Sequence, residues 1–230
     1  MIYLHLGAGA ADLDERANFR CGFTELIKSK FNEGDKIYLI EANPINIKKL
    51  RETYKDYIDT KIFNIGISEK NEKELKFYYA EHDAPHFQVC SAKIEHVKKH
   101  HPNSKINFFK IETISINNFL ENYIKNQTID YLSIDIEGLD FEVLMSIDLN
   151  KYNIKNISIE YLHLSKFQKR NMINKLTKFG YSYCGYGYDH NNYDFLFVKK
   201  KIFINQVLSK VLWIIGRKHL AYFNYLIKKP

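Results

Sequence analysis

Residues 129–149 read IDYLSIDIEGLDFEVLMSIDL. The first six, Ile129 to Ile134, alternate apolar and polar types and are rich in β-branched and aromatic side chains, the pattern of a buried strand. Asp135, Glu137, Gly138 and Asp140 follow at its carboxyl end, and then Phe141, Leu144, Met145 and Asp148 recur at helical spacing. A strand, an acidic turn and a helix form the repeating unit of open α/β sheets. Ligands of such sheets bind beyond the carboxyl ends of the strands, so Asp135 and Glu137 stand where chemistry is expected. Acids at a helix start also cap it and complement its dipole, and Asp140 is assigned that role alone. Three carboxylates in six residues exceed what capping needs, which leaves Asp135 and then Glu137 as functional candidates.

Outward from that unit, 230 residues with 45% hydrophobic and 15% aromatic content can bury one sizeable core and exclude a disordered chain. Cys21, Cys90 and Cys184 are odd in number and lack metal-ligand spacing, so they read as free thiols in a reducing compartment. The chain opens directly into MIYLHL, without the basic region and cleavage site of a secretory signal. No apolar run approaches the ~20 residues that span a bilayer. Together these features predict a cytoplasmic protein. The net charge of +7 is uneven: residues 199–230 hold eight Lys/Arg and no acid, whereas the first 198 carry 26 Lys/Arg against 27 Asp/Glu. A neutral body excludes a nucleic-acid groove across the domain and gives the tail a role of its own. We therefore divide the chain into a domain at 1–198 and a tail at 199–230.

In chain order, Ile2–Leu6 is a short apolar strand running into Gly7-Ala8-Gly9-Ala10-Ala11. Small residues there let backbone approach a ligand closely. A helix is expected from Gly22 to about Lys30. Lys36–Ile40 reads as a second strand ending on Glu41-Ala42-Asn43-Pro44, with Pro44 opening the next helix. An acid at the end of the second strand is placed to accept hydrogen bonds from both hydroxyls of a ribose, although a capping carboxylate would stand there too. Thr60–Asn64 is a third strand before a turn at Gly66, and Leu75–Ala80 reads as a hairpin arm at a sheet edge. Residues 81–105 hold five of the nine histidines. His96 and His100 are expected on one exposed, solvated helix face, and His82 and His86 in a loop over a pocket as substrate-side candidates. Ile106–Ile111 is strand-like, and Ser115 caps a short helix to Tyr123. Ile157–Ile159 is a fifth core strand ending on Glu160-Tyr161-Leu162-His163. A helix from Ser165 closes at Gly180, and Tyr181–Tyr186 and Phe195–Val198 form an antiparallel pair. Beyond them, Leu208, Val211, Leu212 and Ile215 follow one helix face among basic and aromatic residues. Such a segment suits an anionic membrane surface, or else packs on the body or on a second subunit in a homo-oligomer.

Glycines after the first strand, an acid after the second and an acid after the fourth describe a nucleoside-cofactor site in a seven-stranded sheet. The full Gly-x-Gly-x-x-Gly of dinucleotide enzymes is missing, as is a lysine-bearing phosphate loop. S-adenosylmethionine carries no phosphate and needs only the close-approach turn and the ribose acid.

These segments resemble the FkbM-type S-adenosylmethionine-dependent methyltransferases over about residues 1–198. The resemblance rests on IDYLSIDIEGLDFEVL, supported in order by LGAGA, IYLIEANPINIKKL, FNIGISEKNEKELKFYY, TISINNFLE and ISIEYLH. The chain departs from the family pattern at His5, where Asp is usual, and at Gly9, where Asn is usual. It also begins at the first strand, without the N-terminal extension with which many such enzymes close over substrate. The resemblance implies a class I methyltransferase, Rossmann-like sheet with an antiparallel C-terminal pair. It implies a methyl donor lying over His5, Gly7, Ala8 and Gly9, with Glu41 on the ribose and Ala42, Asn43, Asn64 and Gly66 around the nucleoside. Asp135 then stands near the transferable methyl, with Glu160 and His163 as further candidate bases, and Glu137 and Tyr161 on the substrate side. A divalent metal held by Asp135 and Glu160 is a less favoured addition. The implied reaction is O-methylation of a sugar or surface-glycan precursor by a bacterial enzyme, working near the inner membrane surface. N-methylation of an amino or phosphoramide group, or a non-catalytic membrane- or partner-binding module of the same fold, is the alternative.

Overall fold

In the computed structural model, described at residues 1–13, 21–83, 89–188 and 193–199, strand β1 (Ile2–Leu6) lies at the centre. The anticipated His86 and residues 200–230 of the tail lie outside the described residues. Strand β1 pairs in parallel with β2 (Lys36–Ile40) on one side and β7 (Tyr131–Ile134) on the other. Strand β3 (Thr60–Phe63) extends the sheet beyond β2, and β8 (Asn156–Glu160) extends it beyond β7. The antiparallel pair β9 (Tyr181–Tyr186) and β10 (Asp194–Lys199) completes a seven-stranded sheet of order β3-β2-β1-β7-β8-β10-β9. Strand order reverses between β1 and β7, so a crevice opens at their carboxyl ends.

Alternation along β1 divides the core. Ile2, Leu4 and Leu6 face α4 (Ile116–Phe119, continued by a π-helical turn over Leu120–Ile124), α5 (Asp140–Ser146) and α6 (Lys166–Lys178). Tyr3 faces α1 (Gly22–Lys30) and α2 (Pro44–Thr53) through Phe23, Leu26, Ile27, Ile47 and Leu50. With helices on both faces, the central strands are buried throughout, as parallel strands must be. The cap expected at Ser115 is present, accepting from the amide of Asn118; Asn43 likewise accepts from the amide of Ile45, and Ser165 forms a capping box with Gln168.

Leu75–Ala80 lies at a sheet edge as expected, but in a separate, smaller sheet. It belongs to β5 (Glu72–Ala80), which pairs antiparallel with β6 (Ile106–Ser115), and β6 pairs in parallel with β4 (Gly66–Ser68) in a separate three-stranded sheet. Helix α5 buries Val143 and Leu144, whereas Met145 is exposed and Asp148 lies past the helix end. Among the described residues no helix is long and apolar enough to cross a membrane.

Candidate functional site

A cavity of about 530 Å³ opens over the carboxyl ends of β1, β2, β7 and β8. Its floor at one end is the turn after β1. Gly7 has φ +80°, and its amide and that of Ala8 donate to the carbonyl of Ile40 at 2.9 and 3.0 Å, which folds the turn back over β2. Gly9, at φ +56°, borders open space, and its amide donates to Oε2 of Glu41 at 2.7 Å. The other oxygen of Glu41 accepts from the amide of Asn43 at 2.6 Å, and the Asn46 side chain adds a third hydrogen bond. Burial raises the Glu41 carboxyl above its ordinary range, and these donors partly offset it. Asn64 Nδ2 donates to the carbonyls of Glu41 and Ala42 at 2.9 and 3.1 Å, fixing the end of β2 from β3. Ala42 and Gly66 line the cavity; Asn43 and Asn64 hold its wall from behind.

His5 lies in the wall beside this turn, stacked on Phe23 at 4.5 Å between ring centroids. Burial alone pushes its pKa down to about 3, so the imidazole is neutral at physiological pH.

The opposite end is acidic. Asp135 follows β7, and its carboxyl is raised well above the usual range by burial and then by Glu160, Glu137, Asp194 and Asp140. Asp140 accepts from the amides of Ile136 and Gly138 at 2.8 and 2.9 Å and thereby shapes the turn that carries Glu137. Burial, followed by the charge of Glu160, moves its pKa up to about 7. The capping role expected for Asp140 is corrected: Leu139 is the N-cap of α5, and Asp140, the first residue of the helix, turns its carboxylate back to the loop before it. Glu137 itself sits at φ +50°, its carbonyl accepting from the Ser91 hydroxyl at 2.5 Å.

Histidines close this end. His163, in the turn after β8, stands 3.1 Å from Oε1 of Glu160, which raises its pKa. His96, from α3 (Ile94–His100), approaches Oε2 of Glu137 at 3.0 Å. Its side chain is only 8% exposed, so the expected solvated face is corrected for His96, whose ring the turn at Gly138 folds against, while His100 is exposed as expected. The rings of His96, His100 and His163 lie 4.4 to 4.9 Å apart.

The anticipated residues His5, Gly7, Ala8, Gly9, Glu41, Ala42, Gly66, Asp135, Glu137, Glu160 and His163 thus meet around one cavity. His82 does not: it is exposed beside Ser104, at 2.6 Å. Tyr161 stacks on Phe195 at 3.7 Å behind the wall. Sequence reasoning missed Asn46, Asp194, Ser133 and His100 as lining residues. Only His100 carried a signal, its four-residue spacing from His96 on a helix. Among the described lining residues five are acidic, Glu41, Asp135, Glu137, Glu160 and Asp194, and none is Lys or Arg.

No curated protein matches the chain closely enough to serve as a relative. A family model, described as the methyltransferase FkbM domain, matches residues 8–183, from the turn after β1 into β9. That span takes in most of the chain, including the ends of β2, β7 and β8 at the cavity, and the protein belongs to the FkbM methyltransferase family.

Proposed function

We propose that the chain transfers a methyl group from S-adenosylmethionine to a hydroxyl of a sugar or glycan precursor. One observation carries the donor assignment: a cavity of ligand size with five carboxylates and no Lys or Arg in its described wall. Such a wall repels phosphates and favours a cationic, phosphate-free nucleoside. The cradle fits that group. The space above Gly9 is open, and Glu41 retains acceptor capacity beyond its three donors for one ribose hydroxyl.

When bound, the donor supplies a methyl group on a positively charged sulfur. The protein's share is to hold the acceptor oxygen in line with the methyl carbon, where positioning supplies much of the rate. As the oxygen–carbon bond forms, the carbon–sulfur bond breaks with its electron pair left on sulfur. The hydroxyl proton then needs a base, and Asp135, at the cavity end away from Glu41, is assigned to receive it. The basic tail after β10 is read as a contact with anionic membrane, where surface glycans are assembled.

Calorimetric titration with S-adenosylhomocysteine tests the donor site. Micromolar binding, weakened about tenfold or more by Glu41→Ala, is the expected result. Absence of binding by the folded wild-type protein would remove the proposal.

A further inference from the structure

The geometry points to a divalent transition-metal site formed by Glu137, Glu160 and His163, with His96 held against Glu137 beside them, at the cavity end opposite Glu41. Two sets of side chains meet there. The ligating atoms of His96, His100 and His163 all lie within 4.8 Å of one another, and so do those of Glu137, Glu160 and His163. Within them, His96 stands 3.0 Å from Glu137 and His163 stands 3.1 Å from Glu160. Donor atoms bound to one ion at about 2.1 Å stand about 3 Å apart when they are at right angles. The two His–Glu pairs already have that separation.

An independent feature of the same place concerns Glu160. The residue is 8% exposed, and its Oε2 is buried with no hydrogen-bond partner. A buried carboxylate oxygen left bare is costly, and a cation would satisfy it. Asp140 lies nearby but spends both oxygens on the amides of Ile136 and Gly138, so it is not a ligand. It holds the Glu137 turn in place, as supporting residues of metal sites do.

An imidazole with two carboxylates selects Mn²⁺, Fe²⁺, Co²⁺ or Zn²⁺ over Mg²⁺ and Ca²⁺, which prefer all-oxygen sites. Glu137, Glu160 and His163 all line the cavity, so an ion held by them would present its remaining positions to whatever enters. If the methyltransferase proposal holds, and this part rests on it, those positions take the acceptor's hydroxyl oxygen together with a neighbouring one. The ion would then orient the diol and lower the pKa of the attacking hydroxyl.

The test uses the full chain, stripped with chelator and titrated with Co²⁺, read by the visible d–d absorption of the bound ion. One saturable equivalent is expected. His163→Ala and His96→Ala should each weaken it by about tenfold or more, and Glu137→Gln, nearly unchanged in shape, should do the same. His82→Ala, outside the cavity, should titrate as the wild type does. Absence of a saturable signal at millimolar Co²⁺, or an unchanged titration in all three variants, would overturn the site. Binding of S-adenosylhomocysteine is measured separately on the stripped protein. A chain that binds it but not Co²⁺ loses the metal site and keeps the donor proposal; the reverse result keeps the metal site alone.

Discussion

The carbonyl oxygen of Asp135 lies 1.6 Å from where a Cβ on Gly7 would stand. The turn after β1 and the end of β7 are thus in backbone contact, and the acidic end of the cavity is positioned by the glycine end. Gly7→Ala meets both this clash and the strain of φ +80°, and should destabilise the fold by about 3–5 kcal/mol. Gly9→Ala meets only the strain of φ +56°, a cost of about 1–2 kcal/mol. Its new methyl group should instead lower affinity for S-adenosylhomocysteine. Denaturant unfolding and calorimetry on the two variants check the contrast; equal destabilisation would contradict it.

Asp140 accepts two amides from its own turn, those of Ile136 and Gly138. Asp140→Ala leaves both donors buried and unpaired, at a cost of about 2–4 kcal/mol, and Asp140→Asn, with one acceptor oxygen, should cost roughly half. Hydrogen exchange should quicken first at Ile136 and Gly138. If those two amides stay protected in Asp140→Ala, the turn is held by something else.

How far the sequence disclosed this site follows from which signals are local. The turn at Gly7–Gly9, the acid at Glu41 and the acidic turn after β7 are each written within a few residues of a strand end, and the structure brings them to one cavity. The histidine cluster is not local. His96 and His163 are brought together only because the three-stranded sheet and α3 pack over the Glu137 turn, with Ser91 bonded to the carbonyl of Glu137. Spacing showed that His96 and His100 share a helix face, but nothing in the spacing says what covers that face. The same limit explains β5 and β6. Their alternation reads correctly as strand, and β5 is an edge strand as expected, yet which sheet it edges depends on partners distant in sequence. Likewise the exposure of Met145 reflects where α5 meets α6, not the period of α5 itself.

Lys175 was invisible in the sequence for the same reason. From α6 its ammonium donates to the carbonyls of Leu144, Met145 and Ile147, at 3.0, 2.7 and 2.8 Å, and so caps the C-terminal end of α5. Burial lowers its pKa, and the charge of Asp148 opposes that shift. Lys175→Met preserves the stem and removes the cap, and should cost about 1–2 kcal/mol in thermal or denaturant unfolding. No change in stability would mean that water replaces the ammonium without loss.

His5 sets an acid limit on the fold. Burial holds its pKa at about 3, against 6.5 for the ordinary group, and no charged neighbour contributes to that shift. The folded state therefore binds a proton less readily than the unfolded chain. His5's contribution to stability is complete above about pH 6.5 and is lost progressively as pH falls toward 3, amounting to about 2–3 kcal/mol by pH 4.5. Other buried groups shift with pH in the opposite sense, Asp140 among them, so the test is a difference between two proteins. His5→Gln keeps a polar side chain of similar size at the Phe23 contact and has nothing to protonate. Melting temperatures taken between pH 7.5 and 4.5 should fall less in His5→Gln than in the wild type. Parallel curves for the two would mean that His5 is charged in the folded wall of the cavity.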